Sequence, residues 1–307
     1  MSLLKVNDLC VGFTQYISLL RQKRLQVIHN LEFAVDAGEV VAVIGSSGSG
    51  KSILAHAVLG ILPSNAHVSG NIYFGGEELT PSRQDKLRGS EIALIPQSVQ
   101  YLDPLMRVGK QVRHSVKTGD PVKAQRAIFG RYGLKAEVET MFPFQLSGGM
   151  ARRVLVSTAT VSGARLVIAD EPTPGLDAAS IKEALGQLRE LADQGCAVML
   201  ITHDIESALT ISDRIAVLYA GTTVEIANRE DFSGKGEQLR HPYTQALWRA
   251  LPHNEFVPIP GSQPLSGAVP AGCAFAPRCP LAVQACMESL PQARELRDGM
   301  VRCIHAS

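Results

Sequence analysis

Residues 45–52 read Gly45-Ser46-Ser47-Gly48-Ser49-Gly50-Lys51-Ser52 and match G-x-x-x-x-G-K-[ST]. Glycines at this spacing let the backbone curl until successive N–H groups converge on one anion. A following helix adds its N-terminal donors and the positive end of its dipole. Lys51 is then placed to reach the β- and γ-phosphates of a nucleotide, and the Ser52 hydroxyl to ligate Mg²⁺. A second set of candidates is Asp170-Glu171, directly after the apolar run Leu166–Ala169. Adjacent carboxylates at a strand end suit an Mg²⁺-linked Asp170 and a Glu171 that orients or activates an attacking water. His203, in Ile201-Thr202-His203-Asp204 after a third apolar run, is a candidate sensor of the γ-phosphate.

These residues need strands to hold them, and the chain supplies four short apolar runs: Val40–Ile44, Leu166–Ala169, Ala197–Ile201 and Ile215–Ala220. They are rich in β-branched residues and do not alternate, the pattern of strands buried on both faces of a parallel sheet. The segment Lys51–Leu62 reads as a helix. So does the stretch carrying Ile181, Leu185, Leu188 and Leu191, which Gly195 stops. Ile205–Ile211 predicts another short helix. Alternating strands and helices predict an α/β fold with ligands at the C-terminal ends of the strands. Asp103–Leu146 breaks the rhythm and reads as an inserted helical subdomain. Gln15–Arg24 reads as a loop or short helix between two strands. From about Gly234 onward Pro and Gly accumulate, which favours an irregular extension over more sheet.

Composition narrows the classes. Across 307 residues, 30 Lys+Arg oppose 29 Asp+Glu, a net charge of +1, and 45% of residues are hydrophobic. That supports a large core and lacks the basic excess of a dedicated nucleic-acid binder. No apolar run approaches the roughly 18 residues that a membrane-spanning helix needs. The N-terminal MSLLKVNDLC carries Lys5 and Asp8 where a signal peptide is apolar, so export is not expected. Of six cysteines, Cys273, Cys279, Cys286 and Cys303 crowd one stretch. In a cytosolic chain that clustering suggests metal before disulfides. Cys10 and Cys196 read as core residues.

With Leu146-Ser147-Gly148-Gly149-Met150 between the P-loop and Asp170, the set resembles the ATP-binding subunit of an ABC transporter over essentially the whole chain. The resemblance implies a P-loop α/β core with a mostly parallel sheet and an N-terminal antiparallel β part. It also implies a helical subdomain over about 99–162 and a Cys-containing extension, dividing the chain at 1–235 and 236–307. Ser147, Gly148 and Gly149 resemble the signature that binds the nucleotide held by a second ATPase subunit. Pro96-Gln97 resembles the Q-loop, with Gln97 near Mg²⁺. Pro174-Gly175-Leu176-Asp177 resembles the D-loop, with Asp177 its recognisable residue. Glu171 resembles the catalytic carboxylate and His203 the switch histidine. Phe13, with Tyr16 behind it, is the candidate for stacking on adenine. The departures are Met150 in place of a Gln, Arg152 where a Gln follows, and Pro174-Gly175 in the D-loop.

His241-Pro242-Tyr243-Thr244, with Leu247 and Pro252, and Gly272-Cys273-Ala274-Phe275-Ala276-Pro277-Arg278-Cys279 resemble the tail of the dipeptide/oligopeptide/nickel importer branch. The thiol spacing is C-x5-C-x6-C-x16-C, without the close pair usual in structural zinc sites. A [4Fe–4S] cluster is the first expectation, with zinc or unligated thiols as the others. Its expected task is to staple the extension, with redox or iron sensing as the other reading. The resemblance implies ATP and Mg²⁺ as ligands. Its implied partners are a second ATPase (a heterodimer favoured), two membrane permease subunits and an extracytoplasmic solute-binding protein, with no nucleic acid. The expected place is the cytosolic face of a bacterial membrane, and the expected work is import of a peptide, nickel or a metal chelate. A soluble ABC-type ATPase acting on nucleic acid or ribosomes, and an iron–sulfur sensing subunit, are the alternatives.

Overall fold

The computed structural model describes residues 2–18 and 21–307. In chain order its strands begin with β1 (Ser2–Ser18), β2 (Arg21–Asp36), β3 (Val40–Gly45), β4 (Ala66–Phe74), β5 (Glu77–Glu78) and β6 (Ile92–Ile95). They continue with β7 (Leu166–Asp170), β8 (Ala197–Ile201), β9 (Arg214–Tyr219), β10 (Thr222–Asn228), β11 (Arg294–Leu296) and β12 (Gly299–Val301). One sheet is antiparallel, in the order β2-β1-β4-β5; the other has eight strands, in the order β11-β12-β10-β9-β3-β8-β7-β6. Strands β9, β3, β8, β7 and β6 run parallel. The four apolar runs are four of these five. Val40 to Ile44, Leu166 to Ala169 and Ala197 to Ile201 are fully buried, as strands covered on both faces must be.

The segment read as a loop or short helix is instead the far end of a long hairpin. Gln15 pairs with Lys23 and Tyr16 with Gln22, and Leu19 and Leu20 lie outside the described residues. Register shifts along β1 explain why the hairpin is hard to read, because each bulge resets the alternation that marks a strand. The helix after the P-loop spans Lys51–Leu59 rather than reaching Leu62. Gly60, at φ +66°, closes it, with the Gly60 N–H on Ala57 O and the Ile61 N–H on His56 O.

Between β6 and β7 the chain forms helices Val108–Ser115, Pro121–Arg131 and Gly148–Thr160. Val112, Phe129 and Val154 from these helices join the core on one face of the large sheet. Helix Ala178–Asp193 buries Leu185, Leu188 and Leu191 against the same core.

The extension is largely irregular, as its Pro content predicts, but its ends are anchored to the sheet. Strand β12 pairs antiparallel with β10, carrying β11 with it. Glu225 of β10 has no exposed side-chain surface and accepts the N–H groups of Arg240 and His241, each at 2.8 Å. Arg240 completes the knot through Glu225, Asp231 and the carbonyls of Leu296 and Arg297.

His241 caps helix Pro242–Arg249, its Nδ1 accepting the Tyr243 N–H at 3.0 Å. That bond leaves the ring proton on Nε2, which is buried without a partner. Burial pushes the His241 pKa from 6.5 down to about 3. The unfolded chain therefore takes up a proton below pH 6.5 that the folded chain refuses until about pH 3. Stability tied to His241 is complete above pH 6.5 and lost as the pH falls towards 3, at up to ~1.4 kcal/mol per pH unit. His241→Asn keeps a capping acceptor and removes the titration. Urea unfolding between pH 7.5 and 3.5 is expected to show a shallower loss of stability for that variant than for the parent.

Candidate nucleotide site

The P-loop leaves the C-terminal end of β3, and its shape follows from close packing against neighbouring backbone. A Cβ at Gly45 would strike the Leu218 carbonyl oxygen of β9, and one at Gly221 would strike the Val27 carbonyl oxygen of β2. The Gly221 N–H in turn holds Ser49 O at 3.1 Å. Inside the loop, Lys51 Nζ donates to Gly45 O at 2.7 Å and Ser46 O at 3.1 Å. Burial lowers the Lys51 pKa, and the carboxylates of Glu171 and Asp170 oppose that shift.

Strands β7 and β8 bring the other candidates to the same edge. Ser52 Oγ donates to Asp170 Oδ1 at 3.3 Å. The Asp170 pKa is raised by burial and by Glu171, while the Ser52 hydrogen bond lowers it. Glu171 follows with φ +46°, a left-handed conformation that costs a non-glycine residue about 1–2 kcal/mol. Its N–H bonds Ile201 O at 2.8 Å, and its carboxylate meets His203 Nδ1, with both oxygens at 2.9 Å. A strained carboxylate held by a strand and a histidine is a group fixed in place at the expense of backbone comfort.

These residues border an open cleft of ≈ 600 Å³ that includes residues 47–53, Gln97, Glu171 and His203. Four loops, after β3, β6, β7 and β8, thus deliver an ammonium, a hydroxyl, an amide and a carboxylate–imidazole pair to one space. Val27 and Ser266 also line it, and neither is marked by any motif. Phe13 is not among the cleft's lining residues; it packs, partly buried, against the core around the antiparallel sheet, and Tyr16 is 72% exposed.

Two family profiles match: ABC transporter over residues 28–174, and oligopeptide/dipeptide transporter, C-terminal region, over residues 224–286. The oligopeptide transport ATP-binding protein OppD of Escherichia coli is 34% identical over 327 aligned positions, covering 98% of this chain and 92% of that protein. The dipeptide transport ATP-binding protein DppD of E. coli is also 34% identical, covering 97% and 95%. The chain belongs to the ABC transporter ATP-binding subunits. Among solved structures, cbiO1 of Clostridium perfringens, part of the ABC transporter complex cbiONQ, is 25% identical with a TM-score of 0.62, covering 75% of this chain and 90% of that one. The dimeric ABC transporter cassette MJ0796 aligns with a TM-score of 0.63 at 24% identity, over 74% and 98%. The chain is accordingly an ATPase of the transporter type.

In this ABC ATPase, Ser147 caps helix Gly148–Thr160 by accepting the Met150 N–H at 3.3 Å. Asp177 caps the next long helix, and its pKa is lowered by the Ser180 N–H and hydroxyl and by the Ala179 N–H. A Cβ at Gly149 would stand 4.0 Å from Ser180 Oγ, so both caps share one patch of surface. None of Ser147, Gly148, Gly149 or Asp177 lines the chain's own cleft. Arg152 is 5% exposed and donates to Pro96 O at 2.9 Å, tying helix Gly148–Thr160 to the residue before Gln97. Gly175 sits at φ +77°, so this glycine serves a left-handed turn ahead of Asp177.

The extension brings Cys273, Cys279, Cys286 and Cys303 into one another's electrostatic reach. Burial pushes the Cys273 thiol up to about 11 and raises Cys279 as well. All six cysteines are free. Among the described residues, no group of three or more His, Cys, Asp or Glu side chains is arranged to hold a metal ion. The thiols therefore converge without forming a ligand set at these positions. No helix among the described residues is long and apolar enough to cross a membrane.

Proposed function

We propose that this ATPase powers uptake of oligopeptides or dipeptides through a pair of membrane permease subunits, to which it attaches from the cytosolic side. The observation carrying the reading is that the match to the oligopeptide/dipeptide relatives spans nearly the whole chain and includes the extension over residues 224–286. A solute-binding protein on the far side of the membrane would deliver the peptide. The second ATPase is proposed to be a different chain, with nickel and metal chelates as the other cargo class.

The chemistry follows from the cleft. Residues 45–50 cradle phosphates through backbone N–H groups, and Lys51 neutralises them. The hard oxygen donors at Ser52, Asp170 and Gln97 suit Mg²⁺, and the Ser52–Asp170 contact already pairs two of them. Bound there, Mg²⁺ supplies charge neutralisation for phosphoryl transfer. Glu171 is placed to take the proton of the attacking water, with His203 fixing the orientation of its carboxylate. Ser147, Gly148, Gly149 and Asp177 are proposed to face the partner's nucleotide, which would link hydrolysis to closure of the ATPase pair.

For the four thiols, the proposal is an iron–sulfur cluster that staples the extension, supported by their convergence there. Anaerobic purification of the membrane complex tests the whole reading in one sample. The expected result is ATP hydrolysis stimulated by a peptide-loaded binding protein and not by a nickel-loaded one. Co-purified permeases and four iron atoms per chain are also expected, following from the [4Fe–4S] composition. Hydrolysis indifferent to peptide refutes the cargo assignment, and iron-free protein refutes the staple.

A further inference from the structure

The nucleotide cleft receives residues from outside the ATPase core. Ser266 of the extension lines it beside the P-loop. Three positions earlier, Gln263 touches the loop itself: the Ser46 hydroxyl donates to Gln263 Oε1. The same oxygen takes the Ala220 N–H, from the turn between β9 and β10, at 3.4 Å. Ser46 matters because its carbonyl is one of the two that receive Lys51 Nζ, and it also accepts the Ser49 N–H at 3.2 Å. An acceptor that fixes the Ser46 side chain therefore restrains the peptide on which the ammonium rests.

Gln263 is in turn held in place. Arg278 Nε donates to Pro260 O at 2.6 Å, while its terminal nitrogens reach Ile259 O at 3.1 Å and the Tyr219 hydroxyl at 3.0 Å. Its guanidinium lies over the rings of Phe275 and Tyr219, 5.8 and 6.0 Å from their centroids. Gly261, at φ +72°, turns the chain between this clamp and Gln263. Tyr243, buried in the same aromatic cluster, packs its ring 4.4 Å from that of Tyr219, centroid to centroid. The extension thus reaches the P-loop through Gln263, beside a segment that the Arg278 clamp holds.

From these contacts we infer that Gln263 is a positioning residue for the P-loop, acting through the Ser46 hydroxyl, so that the extension sets the affinity for nucleotide. The inference rests on reading residues 45–52 as the phosphate site. It goes beyond the motif because it makes ATP affinity a property of a segment more than two hundred residues away in sequence.

The test is a double-mutant cycle on the full chain, measuring the Kd for Mg-ATP by calorimetry and KM and kcat for hydrolysis. Gln263→Met keeps the side-chain length and removes the acceptor. It is expected to weaken ATP about fivefold, the ordinary net worth of one hydrogen bond, and Ser46→Ala to do the same. The double variant should bind no more weakly than the weaker single one, since both changes break the same contact. The loss should fall on KM, with kcat held within about twofold, because the contacts of Gln263 described above do not include Glu171 or His203. Nucleotide-induced shifts in unfolding temperature give a second measure on the same proteins, insensitive to the fraction of each preparation that is active. Unchanged affinity in Gln263→Met, or losses that multiply to about 25-fold in the double variant, overturns the inference. Lys51→Ala separates the two levels. If it leaves binding intact, the phosphate-site reading fails and this inference with it. If it removes binding while Gln263→Met changes nothing, only the role of Gln263 fails.

Discussion

Glu171→Gln is expected to leave ATP binding within a few-fold of the parent and to slow hydrolysis by about 10²–10⁴-fold, the usual range for removing a general base. The amide keeps the size of the carboxylate and can still accept a hydrogen bond from His203 Nδ1, so the contact that both oxygens make at 2.9 Å need not collapse. The backbone at φ +46° is set by the strand end and by the bond to Ile201, which the substitution does not touch. What disappears is the capacity to take a proton. Rapid-quench hydrolysis alongside equilibrium binding checks both halves. Hydrolysis near the parent rate would place the base elsewhere, and lost binding would show that the carboxylate holds the site together.

Lys51→Ala is expected to weaken Mg-ATP binding by about 10–100-fold. Charge-assisted hydrogen bonds are worth about 1.5–3 kcal/mol, and each 1.4 kcal/mol is tenfold in affinity. Lys51 is an ammonium that the protein already holds in a buried setting, bonded to two carbonyls and within the field of two carboxylates. Burial disfavours its charge, and anionic phosphates would restore the balance. Removing the side chain also frees Gly45 O and Ser46 O, so an unfolding temperature measured without nucleotide must accompany the affinity. A variant that folds like the parent and binds like it would end the phosphate-site reading.

Much of the site was legible because its parts are local. A glycine loop followed by Lys51 and Ser52 declares its chemistry in eight consecutive residues. The carboxylates and His203 announce themselves by ending strands that burial on both faces makes uniformly apolar. The expected strand Ala197–Ile201 and helix Ile205–Ile211 coincide with the observed ones. What escaped is non-local. The long β1–β2 hairpin lost its alternation to bulges, and β11 and β12 are short strands that exist only because β10 offers an open edge. Val27 and Ser266 reach the cleft, and Gln263 the P-loop, through packing between distant segments, which no spacing rule encodes. Arg152, a departure from the expected signature, acquires its reason only when Pro96 is seen beside it. The thiol spacing shows the reverse: it predicted a ligand set, and the loops bring the sulfurs near one another without arranging them to bind.

The pairing of β12 with β10 bears on how the molecule is made. Synthesis delivers β10 well before Gly299–Val301, so for an interval the growing chain carries the main sheet with one row of backbone donors and acceptors unmatched. Segments usually fold in the order they leave the ribosome, and here the main sheet is not complete until β12 has been made. A chain released just past Asn228 would present a nearly finished main sheet with an adhesive flank. The last short strand therefore acts as a seal, and the time needed to translate the extension is the time during which a nascent molecule can pair with the wrong neighbour.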